Sequence, residues 1–267
     1  MTTQAVEALE AIHERVEHLV STLGPEDWSA ASLCEGWRVQ DVFAHMSSNM
    51  KETVDPTPPP PEGAPDLKAE DAMEALITPR RDWTAQQLLD EYRQYYDGWI
   101  GAMAAMQEEP TASTVAPLAD LGSHPLHMVA NAFAFDHYCH LYIDVLAPQG
   151  PLQADVAPVT DDIVRPGIDW MLAGMPQMQP GELAAAVTAP LRLDLTGPGG
   201  GSWLISPAGA DGAVGVAEGV GDAAATVTSS AHDFVSWGTK RSDWRGSCQV
   251  SGDDAAATPF LDTVNII

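Results

Sequence analysis

Residues 33–46 read Leu33-Cys34-Glu35-Gly36-Trp37-Arg38-Val39-Gln40-Asp41-Val42-Phe43-Ala44-His45-Met46, a loop that passes into a helical repeat. From there Val39, Val42, Phe43, Met46 and Met50 recur at steps of three and four, which predicts a helix over 38–54 with one apolar side. His45 lies midway along it, at the edge of the stripe, with Asp41 one turn before and Asn49 one turn after.

Working outward, Val6, Leu9, Ile12, Val16, Leu19 and Val20 give residues 3–22 the same periodicity, ended by Gly24 and Pro25, and a short loop with Trp28 follows. On the other side, Asp55-Pro56-Thr57-Pro58-Pro59-Pro60-Pro61 cannot continue a helix, because proline lacks the amide donor and clashes with the preceding turn. It reads as a stiff crossover. Thr84-Ala85-Gln86-Gln87 fits a capping box opening a third helix to about Gln107, with Leu88, Leu89, Tyr92, Tyr96, Trp99, Met103 and Met106 inward. A fourth starts after Ser123, with Pro125 in its first turn, and reaches about Leu146. Four such helices with one long crossover describe a four-helix bundle over residues 1–150.

After Pro148 the texture changes. A short helix is expected near 160–173, then strands at Leu191–Leu195, Ser202–Ile205, Ala213–Ala217, Ala225–Thr228 and Ser247–Val250, with helices at Ala231–Trp237 and Ala255–Val264. Residues 151–267 therefore read as a second, mixed α+β domain.

Of the 267 residues 45% are hydrophobic and 19% charged, which excludes a disordered chain. The net charge of -26 argues against nucleic acid and anionic membranes as partners, since both demand cationic surface. Three scattered cysteines without a C-x-x-C spacing fit neither a disulfide scaffold nor a thiolate zinc site. Cys34 and Cys139 read as small buried apolar residues rather than nucleophiles. With no secretory leader and no long apolar span, the chain is expected to be a cytoplasmic protein, and a monomer in the absence of an exposed apolar stripe.

Asp136 and His140, four apart on the fourth helix, project from one face. Together with His45 they would make a three-ligand site for a divalent metal with an open position. The donors suit zinc, while nickel, iron or manganese accept them too. His137 rivals Asp136 as third ligand, and His124 and His127 are weaker competitors. The same Asp/His spacing also serves a plain ion pair.

The 33–46 segment resembles the L-C-x-G-W-x-V-x-D-V-x-A-H-L signature of the DinB-like, mycothiol-dependent maleylpyruvate isomerase family, densely over fourteen positions. The resemblance implies that His45 is a metal ligand. It also matches Asp136 and His140 to the family's acid-then-His motif, where the acid is commonly Glu. An aspartate that often follows that His by three stands here at four, as Asp144. The second half, from Ala225-Thr226-Val227-Thr228 through Val250-Ser251-Gly252-Asp253 and the closing helix, is similar to the family's sterol-carrier-protein-like domain. There Lys240-Arg241 replaces a Gly-Arg turn, which makes Arg241 a candidate anion clamp for thiol or substrate.

The function so implied is a metal-dependent isomerase or S-transferase that uses a small-molecule thiol such as mycothiol on a small electrophilic substrate. The competing reading is a non-catalytic carrier with an apolar pocket near Trp203, Trp237 and Trp244.

Overall fold

The 33–46 segment is a loop fastened to the helix it opens. Trp37 N–H donates to the Cys34 carbonyl at 3.0 Å, and Gly36 has φ +78°, the left-handed conformation that closes the turn. Arg38 N–H then donates to the Asp41 carboxylate at 2.9 Å, capping the helix Val39–Val54. The computed structural model describes residues 3–58, 67–210 and 212–267. The chain divides into two compact units, one of residues up to Asp120 with His124–Ala157, the other of Leu121–Ser123 with Pro158–Ile267.

The first unit contains α1 (Gln4–Val20), α2 (Pro25–Ser29), α3 (Val39–Val54), α4 (Ala69–Ile77) and α5 (Ala85–Ala105). After a short strand β1 (Val115–Pro117) and its partner β2 (Ser123–Pro125) come α6 (Met128–Cys139) and a π-helical turn, His140–Val145. The apolar positions of α1 foreseen from the repeat are all buried. Helix α3 packs on α5, and α1 on α6. The capping box at Thr84 is present, with Gln87 N–H donating to Thr84 Oγ1 at 3.3 Å and Thr84 N–H donating to Gln87 Oε1 at 2.9 Å.

Several expectations need correcting. Pro25 opens α2 rather than a loop, as proline does where the first amide needs no partner. Ser123–Pro125 is strand, so the last helix begins only at Met128. Helix α3 is buried on every side from Val39 to Met50, so His45 lies in the interior rather than at the edge of a stripe. Tyr96 and Met106 are only half-buried. The proline run continues beyond Pro58, and Pro59–Pro61 lie outside the described residues.

The second unit is mixed helix and sheet. Helices α7 (Asp161–Met178) and α8 (Pro180–Ala186) precede β3 (Leu191–Thr196), β4 (Gly201–Ser206), β5 (Gly215–Glu218) and β6 (Ala225–Ser230). Then come α9 (Ala231–Gly238), β7 (Gln249–Gly252) and α10 (Asp254–Thr263). The sheet order is β5-β4-β3-β6-β7, antiparallel except for the parallel pair β3–β6. Leu191, Leu193 and Leu195 alternate inward as the pattern requires, beside buried Ala225 and Val227 of β6. Trp203 and Trp237 are core residues, at 4% and 1% exposure, whereas Trp244 is half-buried under the Arg245 guanidinium. Among the described residues no helix is long and apolar enough to cross a membrane.

Candidate metal centre

His45 and His140 enter the interior of the first unit from α3 and from the first position of the π turn, both almost fully buried. Their Nε2 atoms converge on one carboxylate oxygen. Asp136 Oδ1 lies 2.9 Å from His45 Nε2 and 3.4 Å from His140 Nε2. The ring centroids are 4.7 Å apart and nearly perpendicular, at 73°. All three ligand atoms fall within 4.8 Å of one another.

The surroundings distinguish the two imidazoles. His140 Nδ1 lies 2.8 Å from Asp144 Oδ2, and the Asp144 side chain is wholly buried. That contact fixes the ring with Nε2 facing the cluster, the arrangement that orients metal-binding histidines. A π turn carries an extra residue, so a partner four positions on rather than three stays within reach of the ring. His45 Nδ1 has no such partner; it is buried without a hydrogen bond. Asp41, one turn before His45, accepts instead from the Arg38 backbone and guanidinium at 2.9–3.0 Å. Asn49 does reach the site, its Nδ2 3.2 Å from His45 Nε2.

Burial alone would raise the Asp136 pKa, but the two imidazoles outweigh it and hold that carboxylate well below its ordinary range. Burial would lower the His140 pKa; attraction to Asp136 and hydrogen bonds to Asp136, Asp144 and Cys34 push it well above. A negative pole between two imidazoles is what a divalent cation would stabilise further. The donor set and spacing fit one: two imidazole nitrogens and a carboxylate oxygen, near the separations of a tetrahedral shell. Asp136 Oδ2 is also buried without a hydrogen-bond partner, which leaves it available for a second bond to a cation. The Asp136 side chain is 25% exposed, the least buried of the three.

His137 does not join this group. Its ring stacks on Trp99, with centroids 5.1 Å apart, and its Nε2 is 3.9 Å from Asp136 Oδ2. Burial pushes its pKa down to about 4. His127 bonds the Ala112 carbonyl, with Nδ1 2.9 Å from that oxygen, and His124 is buried near β1. Arg241 belongs to the second unit, in the turn after α9, where its backbone N–H donates to the Ser236 carbonyl at 2.9 Å.

Three neighbours lacked a decisive mark in the sequence. Trp37 lies against both imidazoles, its ring 5.4 Å from His45 and 6.0 Å from His140, held by a hydrogen bond from its indole N–H to Glu74. Asp144 was visible only as a displaced aspartate. Cys34 is no inert apolar filler: its thiol sits 3.0 Å from Asp144 Oδ2. Cys139 is buried, and burial raises the Cys248 thiol to about 11, the reverse of an activated nucleophile.

The family model of the mycothiol maleylpyruvate isomerase N-terminal domain matches residues 9–142, just over half of the 267. The chain belongs to this family. Crystal structures of the mycothiol-dependent maleylpyruvate isomerase and of a histidine-to-alanine variant of it align over 95% of this chain and 97% of theirs, each with a TM-score of 0.54. Sequence identity is 18% and 17%, so that likeness concerns the fold. No curated protein matches the sequence. The family match covers both histidines and Asp136, and ends just short of Asp144.

Proposed function

We propose that this protein is a metal-dependent enzyme that uses a low-molecular-weight thiol, mycothiol or one of its class, to isomerise a small electrophilic, acidic substrate or to transfer the thiol to it. The observation that carries this reading is the convergence of His45 Nε2, His140 Nε2 and Asp136 Oδ1 in one cluster. The name of the structurally similar isomerase supplies the thiol and the reaction class. In this reading His45, Asp136 and His140 hold the cation, zinc by donor type. A divalent cation bound there would supply Lewis acidity and convert a coordinated thiol to its thiolate at neutral pH.

The chain's own residues then do the rest. His45 and His140 would each offer Nε2 to the cation, which displaces any proton there, and Asp136 would offset one positive charge. Asp144 keeps the His140 ring in the tautomer that faces the cluster. Trp37 covers the imidazole faces and excludes water from that side. Arg241 is the proposed anion clamp for a carboxylate of thiol or substrate, since a guanidinium matches carboxylate geometry. In the same reading, residues 1–150 form a DinB-like four-helix bundle and 151–267 a sterol-carrier-like domain, in a monomeric cytoplasmic protein.

Elemental analysis of untagged protein tests this. The expected result is about one equivalent of divalent metal, as a three-ligand site binds, and loss of most of it in His45→Ala. Full occupancy in that variant defeats the ligand assignment.

A further inference from the structure

Cys34, His140 and Asp144 form a second cluster on the opposite edge of the same imidazole. Cys34 Sγ is 3.0 Å from Asp144 Oδ2 and 3.8 Å from His140 Nδ1, and Asp144 Oδ2 is 2.8 Å from that nitrogen. The three ligand atoms again lie within 4.8 Å of one another. A hydrogen-bonded triad accounts for these distances, but thiol, imidazole and carboxylate are also the donors of a soft divalent cation. Metal–nitrogen and metal–oxygen bonds of about 2.0–2.1 Å and a metal–sulfur bond of about 2.3 Å fix a tetrahedral shell. Its nitrogen and oxygen then lie roughly 3.3 Å apart, with sulfur roughly 3.5 Å from either. The observed spacings differ from these by about half an ångström or less, a gap that side-chain rotation closes. The loop is anchored for it, since Leu33 N–H donates to the Asp144 carbonyl at 3.0 Å. Cys34 is half-buried, which gives the cluster its access.

We infer that Cys34, His140 through Nδ1, and Asp144 form a second cation site, selective for a thiophilic divalent ion, that competes with the first centre for His140. The competition rests on the metal-centre reading above; the second site does not. A neutral imidazole carries one proton. With the proton on Nδ1, the ring donates to Asp144 and offers Nε2 to the first centre. With the proton on Nε2, it donates toward Asp136 Oδ1, 3.4 Å away, and offers Nδ1 to the second. Filling the second set therefore leaves the ring with its proton on Nε2, any proton on Nδ1 having been displaced by the cation. It also releases the Cys34 thiol proton to solvent as sulfur binds in its thiolate form.

The test titrates metal-stripped, untagged full-length protein with Cd²⁺, following thiolate-to-cadmium charge-transfer absorption and mapping alkylation of each cysteine by mass. The expected result is a charge-transfer band, with Cys34 alkylation slowed about tenfold at a cadmium concentration about ten times its Kd. The band is lost in Cys34→Ser and kept in His45→Ala, whose second set is intact. A band unchanged in Cys34→Ser, or Cys34 alkylation indifferent to saturating Cd²⁺, overturns the site. The alkylation arm needs no variant, so a misfolded Cys34→Ser does not block the decision. Simultaneous binding of zinc at the first set and cadmium at the second overturns the competition alone. Full zinc occupancy in His45→Ala that survives alkylation of Cys34 would instead count against the first centre and leave the second standing.

Discussion

A single buried carboxylate decides how one imidazole behaves. Asp144 accepts at His140 Nδ1, while no group does the same for His45. Replacing Asp144 by Asn removes the charge that fixes this tautomer, and metal affinity should fall about 10–100-fold, read by competition with a chromophoric chelator. His137 carries a different prediction. Its folded pKa, about 4, lies below the ordinary 6.5, so between these values the unfolded chain takes up a proton that the folded chain refuses. Stability from this residue is therefore present above pH 6.5 and lost as pH falls towards 4. The loss is on the order of 3 kcal/mol. Denaturant melts of metal-free protein should show that slope in wild type and lack it in His137→Gln; parallel curves would refute it. The sequence marked both histidines and the acid through helical spacing. It could not choose between Asp136 and His137, because adjacent residues differ only in the face they present, which tertiary packing sets.

At the scale of elements, the capping of α3 explains why the loop and helix of 33–46 act as one piece. Asp41 is buried to 1% exposure, and its carboxylate takes the Arg38 backbone N–H and guanidinium. Asp41→Ala should cost about 1–2 kcal/mol, and Asp41→Asn less, because its remaining oxygen still accepts the backbone bond. The Arg38 side chain is 38% exposed and its guanidinium keeps its bond to the Arg81 carbonyl when Asp41 is lost, so the larger penalty of a stranded buried charge does not arise. Equal stability of all three proteins in urea would show that the cap contributes nothing. The long helices and alternating strands were legible because period 3.6 and period 2 extend over enough residues to separate them. The short α2, α4 and α8 were not, since five to nine residues hold too few turns for a repeat to emerge. The π turn left no trace, because all six residues of His140–Val145, polar and apolar alike, are buried and show no period.

For the whole molecule, the net charge of -26 and the cation-seeking cluster work in the same direction but at different ranges. The diffuse negative field concentrates any cation near the surface and fades beyond the Debye length of about 8 Å at physiological salt. The cluster instead binds through three directed donors that salt screens weakly, because they lie inside the helical unit. Thermal unfolding separates the two contributions. A divalent metal at about 100 times its Kd stabilises the folded form by about 2.7 kcal/mol. For a transition of some 150–250 residues, that raises Tm by roughly 5–10 °C. The rise should appear in the transition that carries the helical unit, survive 0.15 M salt, reverse with chelator and vanish in His45→Ala. A field effect would behave in the opposite way, shrinking steadily with added salt and persisting in the variant, since a net charge of -26 is scarcely altered by one side chain. If the shift follows salt rather than His45, the imidazoles and Asp136 form only an ion-paired core, and the acidic surface alone accounts for the metal response.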